Sequence, residues 1–193
     1  MKEKTRLPNL LPLEGPQLLE TQPLLKTRLF CIEQQALCFS NGVTAHYERL
    51  VSQSHGAVLV VPVTTDGLVL IREWSAGVGR YELGFPKGKI DPGETWQDAT
   101  ARECQEEIGF RPTQLTLLDK VSLAASYMDH HTHLVLAQAL EISGSDAGDE
   151  PEPLEIVHWP IDDWPELVAH PEFSEGRAYA ALFLTLTHLG KLS

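Results

Sequence analysis

Hydrophobic and polar positions divide the chain into short apolar segments separated by turn residues. Residues 29–39 and 43–51 read as strands flanking Ser40-Asn41-Gly42. Asn-Gly is a strong hairpin signal because both positions tolerate positive φ. Residues 56–63 form a nearly continuous apolar run, the pattern of a central strand, and Thr65-Asp66-Gly67 turns it into a second strand at 68–72. Glycines and prolines then crowd residues 75–93, predicting a loop with a short strand at 81–83. A helix over 95–108 follows, with acidic residues in its first turns and Gly109 as its stop. Further strands are expected at 115–123, 133–142 and 155–159, and helices at 162–169 and 174–189. Residues 143–153 make an acidic loop without periodicity, and residues 1–25 are rich in Leu and Pro without alternation. The order of elements predicts an α/β or α+β sandwich. An irregular arm (1–25) and a hairpin (26–55) precede the main domain (56–193).

Charge narrows the functional classes. The 193 residues carry 27 acidic and 15 basic side chains, a net charge of −12. Unspecific nucleic-acid binding needs a basic footprint, so that partner class is set aside. A phosphate-bearing substrate on so acidic a chain calls for divalent cations. Three cysteines without CxxC spacing fit a reducing cytoplasm. The N-terminal apolar stretch is cut by Pro8, Pro12, Glu14 and Pro16, and no run reaches the roughly 18 apolar residues of a membrane span, so neither signal peptide nor membrane anchoring is expected.

Glu103, Glu106 and Glu107 stand at i, i+3 and i+4 of the central helix and so share one face. Such a row is either a solvated helix face or a cation site. The glycine- and proline-rich loop before it favours the second, because hard cations take a few carboxylates together with waters and phosphate oxygens. Arg72 and Arg80 flank that loop and stand out as candidate phosphate clamps. His130, His131 and His133 lack the acidic or cysteine partners of a metal tract and read as a polar turn.

Gly88, Glu94, Arg102, Glu103, Glu106, Glu107 and Gly109 match every fixed position of the Nudix box, Gly-x5-Glu-x7-Arg-Glu-U-x-Glu-Glu-x-Gly-U, with Cys104 and Phe110 at the two apolar U positions. On these residues the chain resembles the Nudix hydrolases. The resemblance implies an α/β/α sandwich with a mixed sheet, preceded here by the N-terminal hairpin, and metal-dependent cleavage of a diphosphate. It implies Glu103 and Glu107 as the main ligands of Mg²⁺ (Mn²⁺ as its substitute), Glu106 assisting, and the Lys87 carbonyl as a further ligand. It implies structural roles for Glu94 and Arg102, the arginine pairing with an acid and orienting the helix glutamates.

The flanks, Tyr81 to Glu94 and residues 148–160, are similar to the ADP-ribose pyrophosphatase group and to hydrolases of ADP linked to another moiety. That similarity implies ADP-ribose, NADH or diadenosine polyphosphates as substrates, with AMP and X-phosphate as products. A Glu-x-Glu in the acidic loop implies Glu150 as general base and Glu152 as a further ligand, beside the plainer reading of a solvated acidic loop. Tyr127 is a candidate to stack on or bond to substrate. The apolar hairpin implies a homodimer. Two positions depart from the group: Gly84 stands where many members carry a glutamate ligand, and Ala125 where they often carry proline. A sensor that binds without cutting is the rival class, and an intact box argues against it.

Overall fold

The computed structural model describes residues 13–144 and 151–192. The chain falls into two units, residues 1–51 and 52–193. In the first, β1 (Gln17–Lys26), β2 (Cys31–Cys38) and β3 (Thr44–Val51) form an antiparallel sheet in the order β1-β2-β3. The expected hairpin is β2–β3: the Phe39 amide donates to the Val43 carbonyl at 2.9 Å, and Asn41 Oδ1 accepts from the Val43 amide at 3.0 Å. The arm expected to be irregular differs. Residues 17–26 are a strand paired with β2, and the register shifts between Leu18 and Glu20 and again between Pro23 and Leu25. Each shift reverses which face the following residues occupy, so the alternation that marks a strand is absent from the sequence.

The second unit runs β4 (Ala57–Pro62), β5 (Leu68–Ser75), β6 (Arg80–Gly84), β7 (Lys87–Lys89), α1 (Trp96–Ile108), β8 (Phe110–Ser122), β9 (His131–Ile142), β10 (Glu155–Trp159), a 3-10 turn (Ile161–Asp163), α2 (Trp164–Ala169) and α3 (Gly176–His188). One sheet is mixed, in the order β7-β4-β9-β8 with β4 and β9 parallel. The other, β10-β5-β6, is antiparallel. The strand β7 falls where loop was expected; Lys-Gly-Lys is too short to show a period.

Alternation along β4 and β5 builds the sandwich. Val58, Val60, Val69 and Ile71 pack with Ala99, Cys104 and Ile108 of α1. Their neighbours Leu59, Val61, Leu68 and Leu70 pack on the other face with Ala178, Ala181 and Leu182 of α3. A strand covered on both faces has no polar position, which is why residues 56–63 read as an unbroken apolar run. The α/β/α architecture with a mixed sheet is thus the one the sequence implied, with a three-stranded antiparallel extension containing the hairpin before it.

Candidate active site

The box helix is positioned at both ends by its own residues. Thr95 caps its start: Oγ1 accepts from the Asp98 amide at 3.2 Å, and the Asp98 carboxylate accepts from the Thr95 amide at 3.2 Å, a reciprocal capping box. Gly109, at φ 72°, ends it in the left-handed conformation. Between them Ala99, Cys104 and Ile108 face the core and fix the rotation of the helix, which sets where its glutamates point.

Gly88 and Glu103 meet most closely. A Cβ placed on Gly88 would lie 1.8 Å from Glu103 Oε1 and 2.0 Å from its Cδ, so only glycine leaves this carboxylate its place. Glu107 reaches the same loop, its Oε2 accepting from the Lys87 amide at 3.0 Å. The backbone expected to offer a carbonyl ligand therefore lies against this carboxylate. Lys87 Nζ pairs with Glu73 of β5.

Arg102 organises the rest. Its Nε and one terminal nitrogen grip Glu94 at 2.8 and 3.0 Å, and the same terminal nitrogen donates to the Lys89 carbonyl at 2.9 Å. The other terminal nitrogen bridges Glu103 at 2.7 Å and Glu106 at 3.1 Å. A planar fork with five donors can hold three carboxylates in this way, where a lysine could not. Arg102 and the Asp91 amide hold the Glu94 carboxyl below the usual carboxylate range.

Glu103 and Glu107 go the other way. Burial pushes both up, Glu107 to about 8 despite the opposing Lys87 charge and amide. Two covered carboxylates with too little positive charge around them, beside a loop stripped of a side chain, suit a hard divalent cation. Among the described residues no group of three His, Cys, Asp or Glu is already arranged to hold a metal ion. Glu103 is turned to Arg102 and Glu107 to the Lys87 amide.

The remaining candidates are dispersed. Arg72 does not point to the box. It follows Leu68 and Leu70 on the α3 face, where Glu172 holds it through two bonds of 2.7 and 2.9 Å and Glu155 through one of 3.3 Å. Glu73, on the opposite face, is the β5 residue that meets Lys87. Arg80 pairs with Glu82 at 2.5 Å and donates to Ser174 at 3.1 Å. Tyr127 is exposed in the turn after β8. Glu152 is not gathered with the box glutamates, because Tyr81 Oη donates to its Oε1 at 2.8 Å. Glu150 lies outside the described residues. Two participants escaped the sequence reading, Glu73 and Tyr81. A strand glutamate and a strand tyrosine carry no spacing signal, and their partners, Lys87 of β7 and Glu152 before β10, come from distant parts of the chain.

This fold and this box define a class, and comparison with known proteins agrees. The NUDIX domain model matches residues 53–183, and the model of the NudE-type Nudix hydrolase N-terminal domain matches residues 16–49. The chain belongs to the Nudix hydrolase family, whose members generally need a divalent metal. It is 45% identical over 172 residues to the ADP compounds hydrolase NudE of Escherichia coli strain K12, covering 89% of this chain and 92% of that protein. A crystal structure of an ADP compounds hydrolase superposes with a TM-score of 0.85 at 43% identity, over 94% of this chain and 99% of that one. The ADP-sugar pyrophosphatase of Mus musculus is 30% identical over 124 residues, 58% of this chain and 56% of that protein.

Proposed function

We propose that this chain is a Mg²⁺-dependent pyrophosphohydrolase, with Mn²⁺ as a substitute cation, that cleaves ADP linked to another moiety into AMP and X-phosphate. The observation that carries this reading is the similarity to ADP compounds hydrolases through both units of the chain, joined to an intact box whose Glu103 closes on Gly88. ADP-ribose, NADH and diadenosine polyphosphates are the proposed substrates.

In this reading Glu103 and Glu107 hold the cations, with Glu106 and the Lys87 carbonyl completing the set. Bound divalent cations supply charge neutralisation on the diphosphate and a more acidic attacking water. Arg102 contributes position: it fixes Glu103 and Glu106 relative to the loop while Glu94 holds it from behind. Water adds to one phosphorus, the bridging P–O bond breaks, and Glu150 accepts the proton, an assignment that rests on the Glu-x-Glu resemblance. Arg80 and Tyr127, both exposed, are proposed substrate contacts. The enzyme works in the cytoplasm as a homodimer joined through its N-terminal unit. Leu18, Leu19, Leu25, Leu29 and Phe30 of that unit are each about half exposed. A three-stranded sheet needs a covering layer for such a surface.

A panel of ADP-ribose, NADH, diadenosine triphosphate and ADP-sugars under Mg²⁺ and Mn²⁺, read by release of AMP, tests the reaction. Turnover of ADP-sugars alone would replace the proposed substrates with those of the mouse relative's name. No AMP from any of them would sink the reading. Glu107→Gln should abolish turnover with the circular dichroism spectrum unchanged.

A further inference from the structure

Glu152 sits in the arm of the acidic loop that leads into β10, and the structure engages it on the far side of the β10-β5-β6 sheet from the box. Side chains of β5 alternate: Leu68 and Leu70 join the α3 core, Val69 and Ile71 the α1 core. Arg72 and Trp74 continue the first set, and Glu73, beside Lys87, continues the second. On the paired strand, Leu83 belongs to the α3 core, and Tyr81, two residues before it, shares that face. Tyr81 Oη donates to Glu152 Oε1 at 2.8 Å.

The ring that makes this bond is held from several directions. The Arg72 guanidinium stacks over it at 4.6 Å, and the Trp74 indole packs edge-on at 5.4 Å. Arg72 is itself fixed by Glu172 and by Glu155 of β10. A donor whose ring cannot turn away loses little entropy on bonding, so an exposed carboxylate gains a fixed anchor point. The bond to Glu152 also raises the pKa of the phenol from its ordinary value.

We propose that Tyr81 is a positioning residue whose hydroxyl anchors residues 151–154 through Glu152, so that Glu152 serves this chain as an anchor and not as a cation ligand. Its consequence for turnover rests on the proposed function, with the acidic loop supplying the base. The anchoring itself does not.

Three measurements on the full-length protein test it. In Tyr81→Phe, which keeps the ring under Arg72, amide exchange at Glu152 and Leu154 should rise by about threefold to tenfold, the range for one hydrogen bond. Glu152→Ala should do the same, Glu152→Gln less, since its amide oxygen still accepts. Mn²⁺ affinity should stay within about twofold of the parent in Glu152→Gln and fall at least about tenfold in Glu103→Gln. With ADP-ribose, kcat should fall in Tyr81→Phe while KM holds. Unchanged exchange in Tyr81→Phe, or a Glu152→Gln variant that loses Mn²⁺ as Glu103→Gln does, overturns the anchoring, and an unaltered kcat overturns its consequence for turnover. Failure of the proposed reaction would instead appear as no turnover in the parent protein, with exchange and Mn²⁺ binding still informative.

Discussion

At the scale of single residues, Gly88 and Glu107 show how the box works as contacts. Replacing Gly88 by Ala puts a methyl group where the Glu103 carboxylate lies. The obstructed atom is the far end of a flexible side chain, so the fold can adjust at a cost of about 1 kcal/mol, the low end for overpacking, while Glu103 is displaced from its bridge to Arg102. Gly88→Ala should therefore melt close to the parent and lose at least about a hundredfold in turnover, about 2.7 kcal/mol in the barrier. A variant that retains activity would separate Glu103 from the chemistry. Glu107 gives a pH signature. Burial raises its folded pKa from the ordinary 4.5 to about 8, so its protonated form favours folding. That contribution is fully present below about pH 4.5 and is lost as pH rises through about 8. In metal-free protein, Glu107→Gln should gain stability relative to the parent between pH 5 and 8, measured by thermal melting. Equal pH slopes in the two proteins would refute the shift. Cation binding in the same window should release protons to the buffer, since the ligand carboxylate must ionise.

At the scale of elements, α1 is the part most fully written in the sequence. Its cap, stop, core face and carboxylate face each occupy their own positions, and the box spacing records the stop at Gly109, the apolar position 104 and the carboxylate face. Thr95→Ala removes the side-chain half of the capping box and should cost about 1 kcal/mol, read as a drop of a few degrees in melting temperature. A variant that melts like the parent would show that packing of Ala99, Cys104 and Ile108 alone holds the helix start. Strands were legible where their cover is simple. An unbroken apolar run marked β4 because both its faces are buried. The strand β1 was illegible because two bulges and Pro23 scramble its alternation. The strand β7 has three residues and pairs only because β4 lies beside it.

At the scale of the whole molecule, each unit exposes a different kind of surface. The first carries every residue of β1 exposed, Leu18, Leu19, Leu24 and Leu25 among them. A second copy is the proposed cover, and sedimentation at micromolar concentration should give a mass near twice 21.4 kDa. A monomeric mass would sink the dimer. The second unit has its apolar surface divided between two buried clusters on either side of the sheets, with the box on one side and the Arg72–Tyr81 cluster on the other.

The amino-acid sequence by itself determined the helix that carries the carboxylates, the covered central strand and the family, because each shows as a local run of residue types or as a spacing that helical geometry converts directly into a shared face. The approach of Gly88 to Glu103 is made instead by packing of β7 on α1. The tertiary structure decided the partners of Arg72, Glu73, Tyr81 and Glu152. The charge of Arg72 offered a phosphate clamp and the Glu-x-Glu resemblance offered Glu152 as a ligand, and neither shows which side chains meet them in the fold. Strand alternation sends Arg72 to the α3 face, and the stacked ring of Tyr81 holds Glu152 there. Which face a strand residue takes depends on the register of its neighbours, and the side-chain bond from Tyr81 to Glu152 joins residues far apart in the chain, beyond the reach of any local pattern.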